Sequence, residues 1–111
     1  MKPYIIKNKE FLNFFNQLSP KNKQEFVPLL KKEHVNTISE ICKNFLKRNL
    51  TQDPKIISKV KSSKKEIKAV SLKTCPLYKK KKILKSKRGG AILSVLLPLA
   101  ASLITSLFTK K

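Results

Sequence analysis

From Ala91 to Phe108 the chain runs for 18 residues without a charge, AILSVLLPLAASLITSLF, directly after a cationic block, KKKKILKSKRGG. No other feature restricts the fold so strongly. An uncharged stretch of this length has to be covered by lipid, by protein or by a core. The lysines from Lys79 to Lys82, with Lys85, Lys87 and Arg88, repel one another and favour an anionic partner. Gly89-Gly90, the only two glycines in the 111 residues, join the halves.

The formal charge of +20 is unevenly distributed. Residues 1–50 hold 10 basic and 4 acidic groups, whereas residues 51–90 hold 14 and 2, and no acid follows Glu66. Self-repulsion on this scale opposes compaction and is relieved by a polyanion: DNA, RNA or an anionic membrane surface. The chain length supports one small domain with extensions.

The residues offer no route to catalysis or to a tightly bound cofactor. His34 is the only histidine and sits beside Glu33 in an expected turn, and no glycine loop that could cradle a phosphate exists. Cys42 and Cys75 lack metal-ligand spacing, and two cysteines do not make a disulfide framework. The expectation is a non-enzyme with no metal and no cofactor. The opening MKPYIIKNKEF is too poor in apolar residues for a signal peptide, and a reducing compartment fits best.

Helical periodicity recurs along the chain, and no period-two pattern or hairpin turn signal does, so the expected class is all-α. Phe11, Leu12, Phe14, Phe15 and Leu18 mark a first helix. Ser19-Pro20 reads as a cap followed by proline at the first helical position, and Pro28 predicts a kink or split near Val27. Ile38, Ile41, Cys42, Phe45 and Leu46 then define one face of a helix over about 35–48, with Asn49 as its expected cap. These elements predict a small helical bundle over 1–50 with Phe11, Phe15, Phe26, Leu30, Ile38, Ile41 and Phe45 in its core. Asp53-Pro54 opens a lysine-rich amphipathic stretch with Ile56, Val60, Ser63, Ile67 and Val70 on one face. Thr74-Cys75-Pro76 breaks it before a cationic helix over 77–88, for which Tyr78, Ile83 and Leu84 supply the apolar contacts. The implied organisation is a helical domain over 1–50, a nucleic-acid-binding region over 51–90 and a hydrophobic C-terminal helix over 91–111.

As a helix the 18 uncharged residues would span roughly 27 Å, at the short end for crossing a bilayer, and Pro98 would bend them. Three readings stand open: a transmembrane anchor flanked by lysines, an interfacial membrane-active segment, or a helix buried against partner proteins or other copies. In each of them Ile92, Leu93, Leu96, Leu97, Leu99, Leu103, Ile104, Leu107 and Phe108 are the contact residues.

The basic region argues for phosphate neutralisation without base reading. Lysine dominates, with Arg48 and Arg88 the only arginines, so bidentate base recognition is not expected. Tyr78 is the sole aromatic of the block, which leaves no stacking platform for single strands. The residues expected on phosphates are Lys55, Lys59, Lys61, Lys64, Lys65, Lys68, Lys79, Lys80, Lys81, Lys82, Lys85, Lys87 and Arg88. KKKKILKSKR would also pass as a nuclear import signal.

The order of parts resembles a known family. A helical N-terminal part containing ISEICKNFL, a lysine-rich middle and a basic run closing on RGG before AILSVLLPLAASLI resemble the core protein X (mu-type) precursor of adenoviruses and its counterparts in adintoviruses and Maverick/Polinton elements. The overlap is strongest over Leu77 to Ile104. The resemblance implies a virion core protein, active in the host nucleus and in the virion, that condenses double-stranded DNA. Capsid proteins, a membrane or further copies of the chain are then the partners open to the C-terminal helix. One position departs from the family pattern. Two residues before Gly89-Gly90, where the adenoviral protease takes an aliphatic residue or Met, stands Lys87, so the expectation is that the tail stays attached. The rival expectation is a membrane-active or tail-anchored protein whose lysines attract anionic lipid.

Overall fold

In the computed structural model, which describes residues 8–47, 53–86 and 89–101, every regular element is helical. The all-α expectation holds. The elements are α1 (Lys9–Asn16), α2 (Pro20–Phe26), a 3₁₀ turn (Val27–Leu29), α3 (Lys32–Lys47), α4 (Pro54–Ser62), α5 (Lys64–Ser71), α6 (Leu77–Lys85) and α7 (Gly89–Ala91). The last of these passes into a π-helical segment, Ile92–Leu96, and residues 97–101 are helical again.

The punctuation residues act locally, as their chemistry dictates. The Asn22 N–H donates to Ser19 Oγ at 3.2 Å and the Lys55 N–H to Asp53 Oδ1 at 2.9 Å, so both caps satisfy an orphan donor ahead of a helix that opens on proline. The split expected near Val27 occurs where α2 gives way to the 3₁₀ turn containing Pro28. The stretch after Asp53 is two helices, because the chain breaks at Ser63. This serine is buried, and its N–H closes α4 on Lys59 and Val60 carbonyls while its own carbonyl opens α5 to the Ile67 N–H.

One buried cluster extends from Leu12 in α1 to Ala101, through Phe15, Val27, Leu30, Val35, Ile38, Ile41, Cys42, Ile67, Val70 and Leu84. The buried residues of the N-terminal helices, the lysine-rich middle and the described part of the tail form one cluster. Phe11, Phe26 and Phe45 pack against the cluster while only partly buried, and Phe14 and Leu46 lie on the solvent side. The aromatic edge of this core runs from Phe14 through Phe26 to Phe15 and Phe11, and the Phe11 ring stacks on His34 at 4.0 Å. Helices α3 and α5 form the most extensive pair, so Ile67 and Val70 settle the lysine-rich middle onto the N-terminal part.

The C-terminal segment completes this core. Ile92–Leu96 packs against α2, α3 and α4, and Ile92, Leu93, Leu96, Leu97 and Ala100 are fully buried or within 1% of it. Asn16 Nδ2 donates to the Leu97 carbonyl at 3.2 Å, tying α1 to a residue 81 positions away. The wide π turn lies just ahead of Pro98, which has no N–H to offer Ser94 and whose ring crowds that carbonyl. A turn with an extra residue accommodates this without ending the helix.

The di-glycine has a packing role. Ser86 opens the segment, its Oγ accepting from the Gly89 N–H at 3.1 Å and its carbonyl from the Gly90 N–H at 3.1 Å. Gly89 is buried against the end of α6, where a Cβ would overlap the Ile83 carbonyl oxygen and stand 2.7 Å from Leu84 Cα. Only a residue without a side chain lets the two backbones approach this closely.

Candidate nucleic-acid interface

Nine of the anticipated phosphate contacts are exposed: Lys55, Lys59 and Lys61 on α4, Lys64, Lys65 and Lys68 on α5, and Lys79, Lys82 and Lys85 on α6. Their placement follows from the buried faces. In α5 the core takes Ile67 and Val70, which turns the three lysines outward. In α4, Ile56, Ile57 and Val60 are half-buried and the lysines lie around them. In α6, Leu84 is buried and Ile83 partly so.

Electrostatics reinforce this arrangement. Residues 53–71 carry six lysines and two carboxylates, Asp53 and Glu66, and Asp53 is engaged at the α4 cap. Lys59 and Lys61 sit in the last turn of α4, which suits the negative end of its dipole, but Lys64 and Lys65 sit in the first turn of α5. Glu66 in the same turn offsets one of these cations at the positive helix end, which leaves one in excess.

Two of the expected contacts differ. Lys80 is 6% exposed, its Nζ donating to Ser39 Oγ at 2.9 Å, and Ser39 in turn donates to the Val35 carbonyl at 3.0 Å. Lys80 therefore points into the protein rather than onto a solvent-facing phosphate surface. Burial holds its pKa below the usual lysine value, with Cys75 and Cys42 pulling the other way. Lys81 is half-buried and donates to the Pro28 carbonyl at 3.1 Å, fastening α6 to the 3₁₀ turn. Gln24 Nε2 adds a second tie to the Ser86 carbonyl at 3.2 Å. Lys87 and Arg88 lie outside the described residues. Tyr78, expected as an apolar contact, is 69% exposed, and Lys80 occupies the inward position instead.

The apolar contact set also changes place. Ile92, Leu93, Leu96 and Leu97 face the chain's own core and Leu99 is half-buried, so the described part of the tail is not a free surface for lipid or a partner. Leu103, Ile104, Leu107 and Phe108 lie outside the described residues. Among the described residues no helix is long and apolar enough to cross a membrane.

The remaining titratable groups have structural settings. Burial pushes the Cys42 thiol up to about 12, partly offset by nearby Lys80, so this sulfur is held as an unreactive thiol. Burial against Phe11 lowers the His34 pKa, with Glu33 opposing and Lys31 assisting. Among the described residues no cluster of histidine, cysteine and carboxylates could hold a metal ion. Sequence periodicity missed Lys80 as an interior residue and missed Lys32, Lys43 and Lys73, which flank it across a groove. Nothing in residue type or spacing distinguishes these lysines from their exposed neighbours. No protein-family model, no curated protein and no solved structure matches the chain.

Proposed function

We propose that this protein is a non-enzymatic, sequence-indifferent DNA-binding protein that neutralises and condenses duplex DNA through the lysines of α4, α5 and α6. The observation that carries the reading is the outward display of nine lysines on these three helices, while Ile67, Val70 and Leu84 of the same helices are buried in the core. Isolated lysines are point charges that contact phosphates without reading bases. The resemblance of the chain's order of parts to adenoviral core protein X precursors supports a place in a virion core, assembled in the host nucleus. The lipid-binding alternative draws on a free apolar tail, and the burial of Ile92, Leu93, Leu96 and Leu97 withdraws the described part of the tail from that role.

Salt dependence of duplex binding tests the proposal. Neutralising roughly eight phosphates gives a slope of log affinity against log salt near −7, equal for unrelated sequences. A slope shallower than about −2, or a strong preference for one sequence, would refute phosphate neutralisation.

A further inference from the structure

A groove of about 790 Å³ lies between α3 and the chain from Ser71 to Lys80. Lys32 and Lys43 line it from α3, Lys73 from the connection between α5 and α6, and Lys80 from α6. Two carboxylates, Glu33 and Glu40, share the groove, which leaves the lysines in excess by two. Its size is that of a site for a discrete ligand.

Lys80 is what makes this groove more than a cationic surface. A buried ammonium normally has a carboxylate beside it, because a neutral partner repays little of its lost hydration. Here the partner is the Ser39 hydroxyl, which donates its own hydrogen bond to the Val35 carbonyl and so presents a lone pair to Nζ. The ammonium has three donors and Ser39 takes one. A ligand that brought negative oxygens to the remaining donors would compensate the burial. The same ligand would bring the three other lysines into range of one anion. Among the described residues no aromatic side chain lines the groove, so these residues offer nothing for a base or sugar ring to stack on. The recognised chemistry is therefore the phosphoryl group itself.

We infer that this groove binds a phosphoryl-bearing polyanion, with Lys80 as its buried anchor and Lys32, Lys43 and Lys73 closing on it from the rim. The inference deepens the proposed polyanion binding and rests on phosphate being the counter-ion, but it assigns a saturable site distinct from the outer lysines. Phosphodiesters of nucleic acid and free polyphosphate share this chemistry.

Titration of the full chain with sodium tripolyphosphate, followed by phosphorus NMR and calorimetry, tests it. One saturable site is expected. Lys80→Met keeps the side chain's length and removes its charge; it should weaken binding about tenfold or more, the size of one lost charged hydrogen bond. Lys21→Ala, which removes an exposed lysine outside the groove, should change the affinity by no more than about twofold. Should Lys80→Met fail to fold, the rim variant Lys43→Ala/Lys73→Ala carries the same expectation. Displacement of tripolyphosphate by duplex DNA would identify the phosphodiester as the source, and persistence of both ligands together would identify free polyphosphate. Non-saturable binding, or equal losses from groove and Lys21 variants, overturns the inference. The steep salt slope for duplex DNA is measured separately and survives either result if the outer lysines bind as proposed.

Discussion

Ending the chain after Gly90 removes a segment that a hydropathy reading treats as an appendage, and the structure makes its loss fatal to the fold. Ile92, Leu93, Leu96 and Leu97 are each no more than 1% exposed. Burying a large aliphatic side chain is worth about 1.5–3 kcal/mol, so these four supply about 6–12 kcal/mol. Compactness of the denatured chain trims such sums by roughly 10–40%. The remainder still rivals the whole stability of a small domain, about 5–15 kcal/mol. Truncation also strips cover from Val60 and Ile67, since the π segment packs on α3 and α4 and lines a cleft with both residues. The truncated protein should lose its cooperative thermal transition by circular dichroism and bind hydrophobic dye, whereas Leu93→Ala should retain a transition with about 2–5 kcal/mol less stability. A truncated chain that melts cooperatively within about 5 °C of the full chain would refute the claim that this segment completes the core. The same result would revive the reading of residues 91–111 as a separable helix.

Three further expectations follow from single residues. Gly89→Ala should destabilise by about 1–3 kcal/mol in urea melts, because backbone atoms of Ile83 and Leu84 occupy the space of the new methyl group; an unchanged midpoint would contradict that packing. Under native conditions an alkylating reagent should modify Cys75, which is partly exposed, and spare Cys42, whose buried thiol is pushed up to about 12; mass spectra showing two adducts without denaturant would contradict this. His34 has a lowered pKa in the fold, so as pH falls below its ordinary value of 6.5 the unfolded chain takes up the proton first and stability declines, levelling off once the folded-state pKa is passed. Denaturant melts on either side of pH 6.5 should show the decline, and His34→Gln should reduce it.

What could be read from the sequence was what local chemistry decides. Ser19-Pro20 and Asp53-Pro54 set helix starts through hydrogen bonds spanning two or three residues, so neighbours alone reveal them. Ile38, Ile41 and Cys42 announce their buried face by spacing. The amphipathic stripe Val60, Ser63, Ile67 and Val70 was visible too, but not the break at Ser63, where the turn depends on packing. The tail illustrates the limit. Its composition states that it must be covered, and only the assembled fold shows that α2, α3 and α4 cover it. Lys80 was illegible for a related reason: a lysine among lysines carries no sign of which one turns inward, since the choice is made by Ser39 in another helix, 41 residues away. The buried Thr37 and Ser39 hydroxyls escaped notice because each is satisfied within its own helix, on the carbonyl four residues earlier.

The tie between Asn16 and Leu97 also bears on when the protein can fold. Synthesis proceeds from the N-terminus, so α1 to α6 are all made before the segment from Ile92 that packs against α2, α3 and α4. Until then the buried cluster that joins Leu12, Phe15, Ile38 and Ile41 to Ile92 and Leu93 is incomplete. Closure over 81 residues carries a loop entropy that short-range contacts do not, so this contact forms late in folding. A nascent chain of this kind is an unfolded polycation before it is a domain. The order in which the helices form and the core closes is set by the late arrival of Ile92 to Leu97.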